Sequence, residues 1–580
     1  MYEIDFDKKF TVEVNLPEYY DRDVYLTYTD FLKSILLSWD SDIRKWVVPY
    51  KRIDEILLWF ITKKKDYVLS EEAKAEFINF QRDNFVSETI FKRSGQFDPS
   101  VLKEDVKLYN YQEEGVNWLL KRSSAYLADD AGLGKTIQIV SVVSHLYKYN
   151  LIDAVLLVVR NSLEYNWLKE FVEKSSIFSE DDIAIIQNDS KLKPFENYRD
   201  KKIIIISNHL YPSSCASYRK DYFTKKKLSK MRWNKSFVDI NKEWGKESIC
   251  FIADESHELK NTKAVRTKAV LSTKAHFPYR YYLSATPAIN YFEDWWAGMN
   301  FIDQSIIPMS ENAFKIYISK EIGNKWSMYN INTYDEKKIN EVRKRFDPHV
   351  LKRLKRDLPE VKTTQTVKPI YLRMNDKHTK LYQSFIQNEV LKLADEFDSI
   401  TLRLIFQKFP YLIQIVDNPA LLEGKVINKD VNEKLNKWKS SDDCRVDYIK
   451  NALSSYIGDL DEKVIIFDNH PKTLNMLGDL FKKYDPLIVH GEMKDSKEDR
   501  WNKQKLFNDK KSKHKLFLLN TSIGGAGWNL HEACRRIIFY TLPYDATLTR
   551  QALDRVWRVN SEYDSIVEIL LLDHSLDNIR

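Results

Sequence analysis

DDAGLGKT, Asp129 to Thr136, follows a short apolar run, Ala125 to Ala128, and opens a second one of helical period, Ile137 to Leu146. The order reads strand, tight loop, helix. Gly132 and Gly134 let the backbone curl until consecutive N–H groups point inward. The helix N-terminus beyond adds partial positive charge, and the two together cradle a polyphosphate. Lys135 is placed to reach the β- and γ-phosphates, and the Thr136 hydroxyl to sit on Mg²⁺. Asp129, Asp130, Ala131 and Leu133 complete the expected nucleotide loop. The usual pattern, G-x-x-x-x-G-K-[ST], has Asp129 where its first glycine stands. A glycine turn before an ordinary helix has the same local pattern, so the rest of the chain must decide.

Upstream, LYNYQEEGVNWLL (Leu108 to Leu120) reads as a helix with Val116, Leu119 and Leu120 inward. Gln112 sits at its start. A carboxamide both donates and accepts, which suits an adenine edge. Downstream, Leu156 to Val159 and Ile203 to Ser207 are unbroken apolar runs, the mark of strands buried on both faces of a parallel sheet. Asn161 and Ser162 then cap a helix. CFIADESHELKN (Cys250 to Asn261) delivers Asp254 and Glu255 at the carboxyl end of a further strand. There Asp254 suits a Mg²⁺ ion held through water, and Glu255 an attacking water. His257, two residues on, is placed to sense the γ-phosphate. YYLSATPAIN (Tyr281 to Asn290) reads as strand and turn, whose Ser284 and Thr286 hydroxyls could link the acidic pair to a second lobe.

A second set of strands begins at KVIIFDNH (Lys463 to His470) and continues through LIVHGEM (Leu487 to Met493) and LFLLNTSIGGAGWNL (Leu516 to Leu530). The last ends in a glycine loop with Thr521, Gly524, Gly525 and Gly527, where a backbone can approach something closely. In RQALDRVWRVN (Arg550 to Asn560), helical spacing puts Gln551, Arg555 and Arg558 on one face. Two arginines without an acid on that face want an anion.

The order Gln112, phosphate loop, DESH and LSATP resembles a superfamily-two helicase-type motor. The words YQEEGVNWL, GLGKT, ADESHELKN, LSATPAIN and VLKRLKRDLPEVK (Val350 to Lys362) resemble the Swi/Snf family. The resemblance implies an α/β fold of two RecA-like parallel-sheet lobes, a P-loop NTPase, over residues 106–305 and 431–580. It implies a helical brace and linker over 306–430 and a small α+β accessory domain over 1–105. It also implies ATP and Mg²⁺ as cofactors. The activity it implies is a double-stranded-DNA-dependent ATPase that translocates on the phosphate backbone with little sequence preference. Thr521, Gly524, Gly525 and Gly527 would then touch the nucleic acid and couple it to the ATP site. Arg555 and Arg558 would close on the γ-phosphate, and Gln551 would face the nucleotide. Departures from the family words stand at Asp130-Ala131, Ala285, Thr541, Tyr544 to Ala546 and Asn560-Ser561. None removes a residue that hydrolysis needs. Read from its residues alone, Val350 to Lys362 is a basic surface helix, and residues 306–430 are helical and free of chemistry.

Two stretches keep two readings each. Arg44 to Tyr50 faintly resembles the HARP module of annealing-helicase-type ATPases, and basic residues interleave with Trp39, Trp46 and Trp59. This part is a nucleic-acid module or a small domain with an aromatic core. Tyr218 to Lys235, basic and aromatic, is a solvated loop or a phosphate-contacting insertion. The rival functions are an ATPase that recycles RNA polymerase and an RNA or DNA helicase. A dead scaffold is disfavoured because Lys135, Asp254, Glu255 and Arg558 are all present.

Bulk properties agree with this frame. A chain of 580 residues is too long for one core. Hydrophobic residues make up 43% and charged ones 30%, which fits a globular protein, and no apolar window suggests a membrane span. Cys215, Cys250, Cys444 and Cys534 lie far apart without C-x-x-C pairing, so neither structural zinc nor a disulfide framework is expected. The N-terminus lacks an apolar signal core. The expected location is the cytoplasm of a bacterial or phage-infected cell, or the nucleus of a eukaryotic one. A net charge of +7 permits a nucleic-acid partner without demanding it, and replication or transcription proteins remain open as partners.

Overall fold

The unbroken apolar runs do form parallel strands. The structure, a computed structural model, describes residues 2–6, 10–14, 32, 38–40, 45–48, 67–74, 96–187, 194–215, 240–287, 291–322, 331–391, 399–425, 428–524, 528 and 530–579. Its compact units are Met1–Asp130 with Gly134–Leu354, and Ala131–Leu133 with Lys355–Arg580.

In the first unit, β1 (Tyr2–Phe6), β2 (Phe10–Val14), β3 (Ser38–Asp40), β4 (Lys45–Val48) and β5 (Tyr67–Leu69) make a mixed sheet in the order β3-β4-β2-β1-β5. Trp39 pairs across the strands with Trp46, and Trp46 is buried with Ile4 and Val12. Trp46 is therefore a core residue. The expected helix over Ile53 to Phe60, Trp59, most of Val24 to Trp39, and the basic stretch Tyr218 to Lys235 lie outside the described residues.

The larger sheet of this unit holds β6 (Ser124–Leu127), β7 (Ala154–Val159), β8 (Ile183–Ile186), β9 (Ile203–Ser207), β10 (Ile249–Ala253) and β11 (Tyr279–Leu283). A hairpin, β12 (Ser319–Ile322) and β13 (Ile331–Tyr334), precedes β14 (Val350–Leu351), and the sheet order is β14-β6-β11-β10-β7-β9-β8, all parallel. Side chains alternate between two cores. Leu156, Val158, Phe251, Ala253 and Tyr282 pack on one face, and Val155, Leu157, Val159, Cys250, Ile252 and Tyr281 on the other. Burial of both faces explains why no polar residue interrupts the runs.

The second unit repeats the plan with β15 (Gln365–Leu372), β16 (Lys463–Asp468), β17 (Leu487–Val489), β18 (Leu516–Asn520), β19 (Cys534–Phe539) and β20 (Ser565–Leu572). The order is β15-β20-β19-β16-β18-β17, again all parallel. Ile465, Phe467, Phe517 and Phe539 fill one core, and Val464, Ile466, Leu516 and Ile538 the other. The chain thus has the two RecA-like parallel-sheet lobes expected of it.

Residues 306–430 differ from their helical reading. They contain helices, the longest being Ser399–Asp417, but also β12 to β15. Pro369 is tolerated because β15 is an edge strand. The basic helix expected at Val350 to Lys362 is instead a strand, an extended stretch and a turn at Lys355–Asp357. The reason is the edge of β6. Its continuing amides need acceptors, and Ala128 N–H donates to Leu351 O at 2.7 Å and Asp130 N–H to Arg353 O at 3.0 Å. Among the described residues no helix is long and apolar enough to cross a membrane.

Candidate active site

β6 delivers the phosphate loop, and α1 (Asn110–Leu120) and α2 (Lys135–Lys148) flank it. Gly132 and Gly134 both take positive φ, 81° and 74°. Gly134 caps α2 in the left-handed conformation. A Cβ there would collide with Gln112 Nε2 and stand 3.1 Å from Ile137 Cγ2, so glycine is required twice over. Lys135 Nζ donates to the carbonyls of Asp129 (2.8 Å) and Asp130 (3.3 Å). Thr136 lies one residue into α2, beside the helix N-terminus.

Gln112 is buried at 4% exposure. Its Oε1 accepts from Tyr109 N–H at 3.0 Å, and its Nε2 donates to the Tyr111 hydroxyl at 3.2 Å. The carboxamide thus closes the first turn of α1 and packs against Gly134. Asp129, in place of the usual glycine, is fully buried. Its Oδ1 accepts from Arg353 N–H (3.1 Å) and Nε (3.0 Å), and its Oδ2 from Arg353 Nη2 (2.5 Å) and Gln138 Nε2 (3.2 Å). Arg353 Nη1 also donates to the Tyr111 carbonyl. Arg353 was read as a surface residue. Its partial burial goes with a partner 224 positions away, which no local pattern reports.

β10 brings up the acids. Asp254 Oδ2 accepts from Trp167 Nε1 at 2.9 Å and Oδ1 from Glu255 N–H at 2.8 Å. Burial, and then the Glu255 charge beside it, push the Asp254 carboxyl up to about 6. Burial opposes the Glu255 charge as well. The hydrogen bond and charge of His257, with Lys135 and Arg160, outweigh that and hold Glu255 low. The pair is therefore split, with Glu255 the more acidic and Asp254 the less. Glu255 sits at φ 49°, a left-handed backbone that side chains rarely adopt. Ser256 steadies the turn, donating to Leu283 O at 3.1 Å while its Oγ lies 2.6 Å from the Tyr126 hydroxyl.

His257 connects the acids to the next strand. Its Nδ1 is 3.2 Å from Glu255 Oε2 and 3.1 Å from Ser284 Oγ, which itself accepts from Thr286 N–H at 3.1 Å. On the other side of the ring, Arg160 Nη2 lies 3.4 Å from Nε2. Arg160 is pinned by Glu258 at 2.5 Å. The structure thus brings Glu255, His257, Ser284 and Thr286 into one hydrogen-bonded chain. Arg160 and Trp167 were missed as site residues.

In the second unit, α3 (Ala546–Leu553) carries Gln551 but ends before the two arginines. The expected helical face over Gln551, Arg555 and Arg558 is therefore corrected. Beyond Leu553 the bonds tighten to the i→i+3 kind, as in Arg555 N–H to Ala552 O at 3.2 Å. The turn is held by side chains. Val556 enters the core, and Lys355 Nζ donates to Asp554 Oδ1 (2.5 Å) and Trp557 O (2.7 Å). Arg558 Nη2 donates to Trp528 O at 3.2 Å. Thr521 Oγ1 and Gln551 Oε1 are buried and find no hydrogen-bond partner among the described residues. Gly524 closes the short turn Thr521–Gly524. Gly525 and Gly527 lie outside the described residues.

A glycine loop on one parallel sheet, a split acid pair at the carboxyl end of the strand two places along it, and a second such sheet with an arginine turn define a two-lobed, helicase-type nucleotide-binding enzyme. Residues 111–421 match the SNF2-related domain, and residues 446–560 match the helicase conserved C-terminal domain. The chain belongs to the Swi/Snf family of ATPases. It is 24% identical over 505 residues to the transcription regulatory protein SNF2 of Saccharomyces cerevisiae, covering 82% of this chain and 28% of that one. It is 24% identical over 509 residues to the ISWI chromatin-remodeling complex ATPase ISW2 of the same yeast, covering 83% and 39%. The chain thus spans less than half the length of these relatives. A solved Sulfolobus solfataricus SWI2/SNF2 ATPase core in complex with dsDNA aligns over 83% of this chain and 91% of that one, at 23% identity and a TM-score of 0.36.

Proposed function

We propose that this protein is an ATP-dependent translocase on double-stranded DNA, which remodels DNA structures or displaces bound proteins. The observation that carries the reading is the phosphate loop and split acid pair of a Swi/Snf ATPase, in a chain whose relatives include a named chromatin-remodeling ATPase.

The donor set fits ATP with Mg²⁺. Gly132 and Gly134 take the left-handed backbone that lets a loop turn its amides toward phosphate oxygens. The Thr136 hydroxyl and the Asp254 carboxylate are hard oxygen donors, of the kind Mg²⁺ takes together with substrate phosphates. When bound, the ion neutralises charge that develops on the phosphates. Lys135 exchanges its carbonyl partners for the β- and γ-phosphates. Glu255, ionised and held by His257, orients the attacking water and accepts its proton. Gln112 and Asp130 border the nucleotide, and Gln551 faces it from the second lobe. Arg555 and Arg558 supply positive charge to the γ-phosphate in the closed state, worth about 10³–10⁵ in rate. The chain Glu255–His257–Ser284–Thr286 reports the γ-phosphate to the DNA-facing loops, Thr521 to Gly527 among them. DNA is held mainly through its phosphates, so sequence preference is weak.

The test is ATP turnover with duplex DNA, single-stranded DNA, RNA and purified RNA polymerase, beside triplex displacement and forked-duplex unwinding. Stimulation by duplex DNA with triplex displacement supports the proposal. Stimulation by RNA or polymerase alone overturns it.

A further inference from the structure

Arg353, partly buried, and Lys355, buried, are cations separated by one residue, at the point where the chain leaves the first compact unit and enters the second. Each is anchored inside its own unit. The Arg353 fork takes both oxygens of Asp129 and also bonds Gln138 Oε1 at 2.8 Å, so it ties the foot of the phosphate loop to the helix the loop opens. Room for the fork is made by Gly115, where a Cβ would collide with Gln138 Oε1 and stand 2.7 Å from Arg353 Nη2. Lys355, 2% exposed, bonds Asp554 and the Trp557 carbonyl and lies 4.5 Å from the centre of the Trp557 ring. Those bonds bracket Arg555 and end one residue before Arg558.

Stability alone is a poor reason for such charges. Replacing a buried ion pair by apolar side chains of like volume is often neutral or stabilising. A fixed cation does give direction, because it holds a carboxylate and a carbonyl at set distances.

We propose that Arg353 and Lys355 are the positioning residues of the ATP machinery. Arg353 sets the phosphate loop for nucleotide binding, and Lys355 sets the turn that presents Arg555 and Arg558 for hydrolysis. The inference rests on the ATP-site reading and is independent of which nucleic acid the protein uses.

The experiment uses the full chain with Arg353→Met, Arg353→Lys, Lys355→Met and Lys355→Arg, and measures the Kd of a fluorescent ATP analogue, kcat and Tm. Arg353→Met is expected to weaken nucleotide binding about tenfold, and Arg353→Lys to recover only part of it, since lysine cannot form the fork. Lys355→Met is expected to lower kcat about tenfold at unchanged Kd, and Lys355→Arg to restore most of it. A purely structural role predicts that Met serves as well as the conservative cation, with Kd and kcat following Tm, and that result overturns the proposal. Should the Met variants fail to fold, hydrogen exchange on the wild-type chain decides. Residues 350–358 must gain protection with the ATP analogue alongside 129–136 and 553–560; unchanged exchange at 350–358 overturns the proposal. Lys135→Ala is the control. If it keeps turnover, the ATP-site reading itself has failed. If it is inactive while all four variants match wild type, only this inference fails.

Discussion

Gly134→Ala puts two penalties on one atom. The backbone there has φ 74°, where an alanine Cβ costs about 1–2 kcal/mol. The same Cβ would collide with Gln112 Nε2. That amide is the end of a flexible side chain, but it is pinned between the Tyr109 N–H and the Tyr111 hydroxyl and only 4% exposed. Relieving the clash therefore disturbs the α1 cap, and overpacking of this kind costs about 1–3 kcal/mol. The single variant should lose about 2–5 kcal/mol in all. Gln112→Ala alone should lose about 1 kcal/mol, the worth of a helix cap. In the double variant the clash is absent and only the backbone penalty and the cap loss remain. The two changes should then fall short of additivity by the clash alone, about 1–3 kcal/mol, which urea unfolding of the four proteins can read. Strict additivity would refute the reasoning, because it would mean that Gln112 does not confine Gly134.

Trp167→Phe removes the indole N–H that supports the Asp254 carboxylate at 2.9 Å. The Mg²⁺ concentration for half-maximal ATP turnover should rise about tenfold, as for other groups that orient a metal ligand. Asp468 is fully buried, and burial pushes its carboxyl up to about 6 despite hydrogen bonds from Thr541 Oγ1 and His470 N–H. A raised acid favours the fold below its unfolded pKa and loses that contribution as pH rises through about 6. Asp468→Asn, which cannot ionise, should therefore raise stability by about 1–3 kcal/mol at pH 8 and by less at pH 5, seen in thermal unfolding at the two pH values. Lys135→Ala should abolish ATP turnover while the chain still unfolds cooperatively, since it removes two carbonyl contacts and a charge that favours the Asp254 and Glu255 carboxylates, seen in ATPase assay and thermal unfolding of one preparation.

The fold was legible wherever burial writes a pattern. Leu156 to Val159 and Ile203 to Ser207 are apolar throughout because helices cover both faces of their sheet, and such runs admit one reading. The phosphate loop was legible because left-handed turns demand Gly132 and Gly134. What could not be read was burial decided at a distance. Lys352 to Arg356 is Lys-Arg-Leu-Lys-Arg and reads like a surface helix, yet Arg353 is partly buried against Asp129 and Lys355 is buried against Asp554. No local periodicity carries that. β15 left a weak signal in the alternation of Val367, Pro369 and Tyr371, masked by the proline and by exposure along the sheet edge. Helical spacing was carried too far at Arg555 and Arg558, because the pull of Val556 into the core and the grip of Lys355 on Trp557 end the helix at Leu553. Glu255 was found as an acid at a strand end, but its left-handed backbone follows from Ser256 and Tyr126.

The central claim is that nucleotide binding and hydrolysis are divided between two lobes, with the phosphate cradle on one and the arginines on the other. Arg558→Ala tests it most directly, with ATP-analogue affinity and single-turnover hydrolysis measured on the same preparation. The account predicts near-wild-type affinity with hydrolysis lower by about 10³-fold or more. Wild-type hydrolysis in that variant would contradict it.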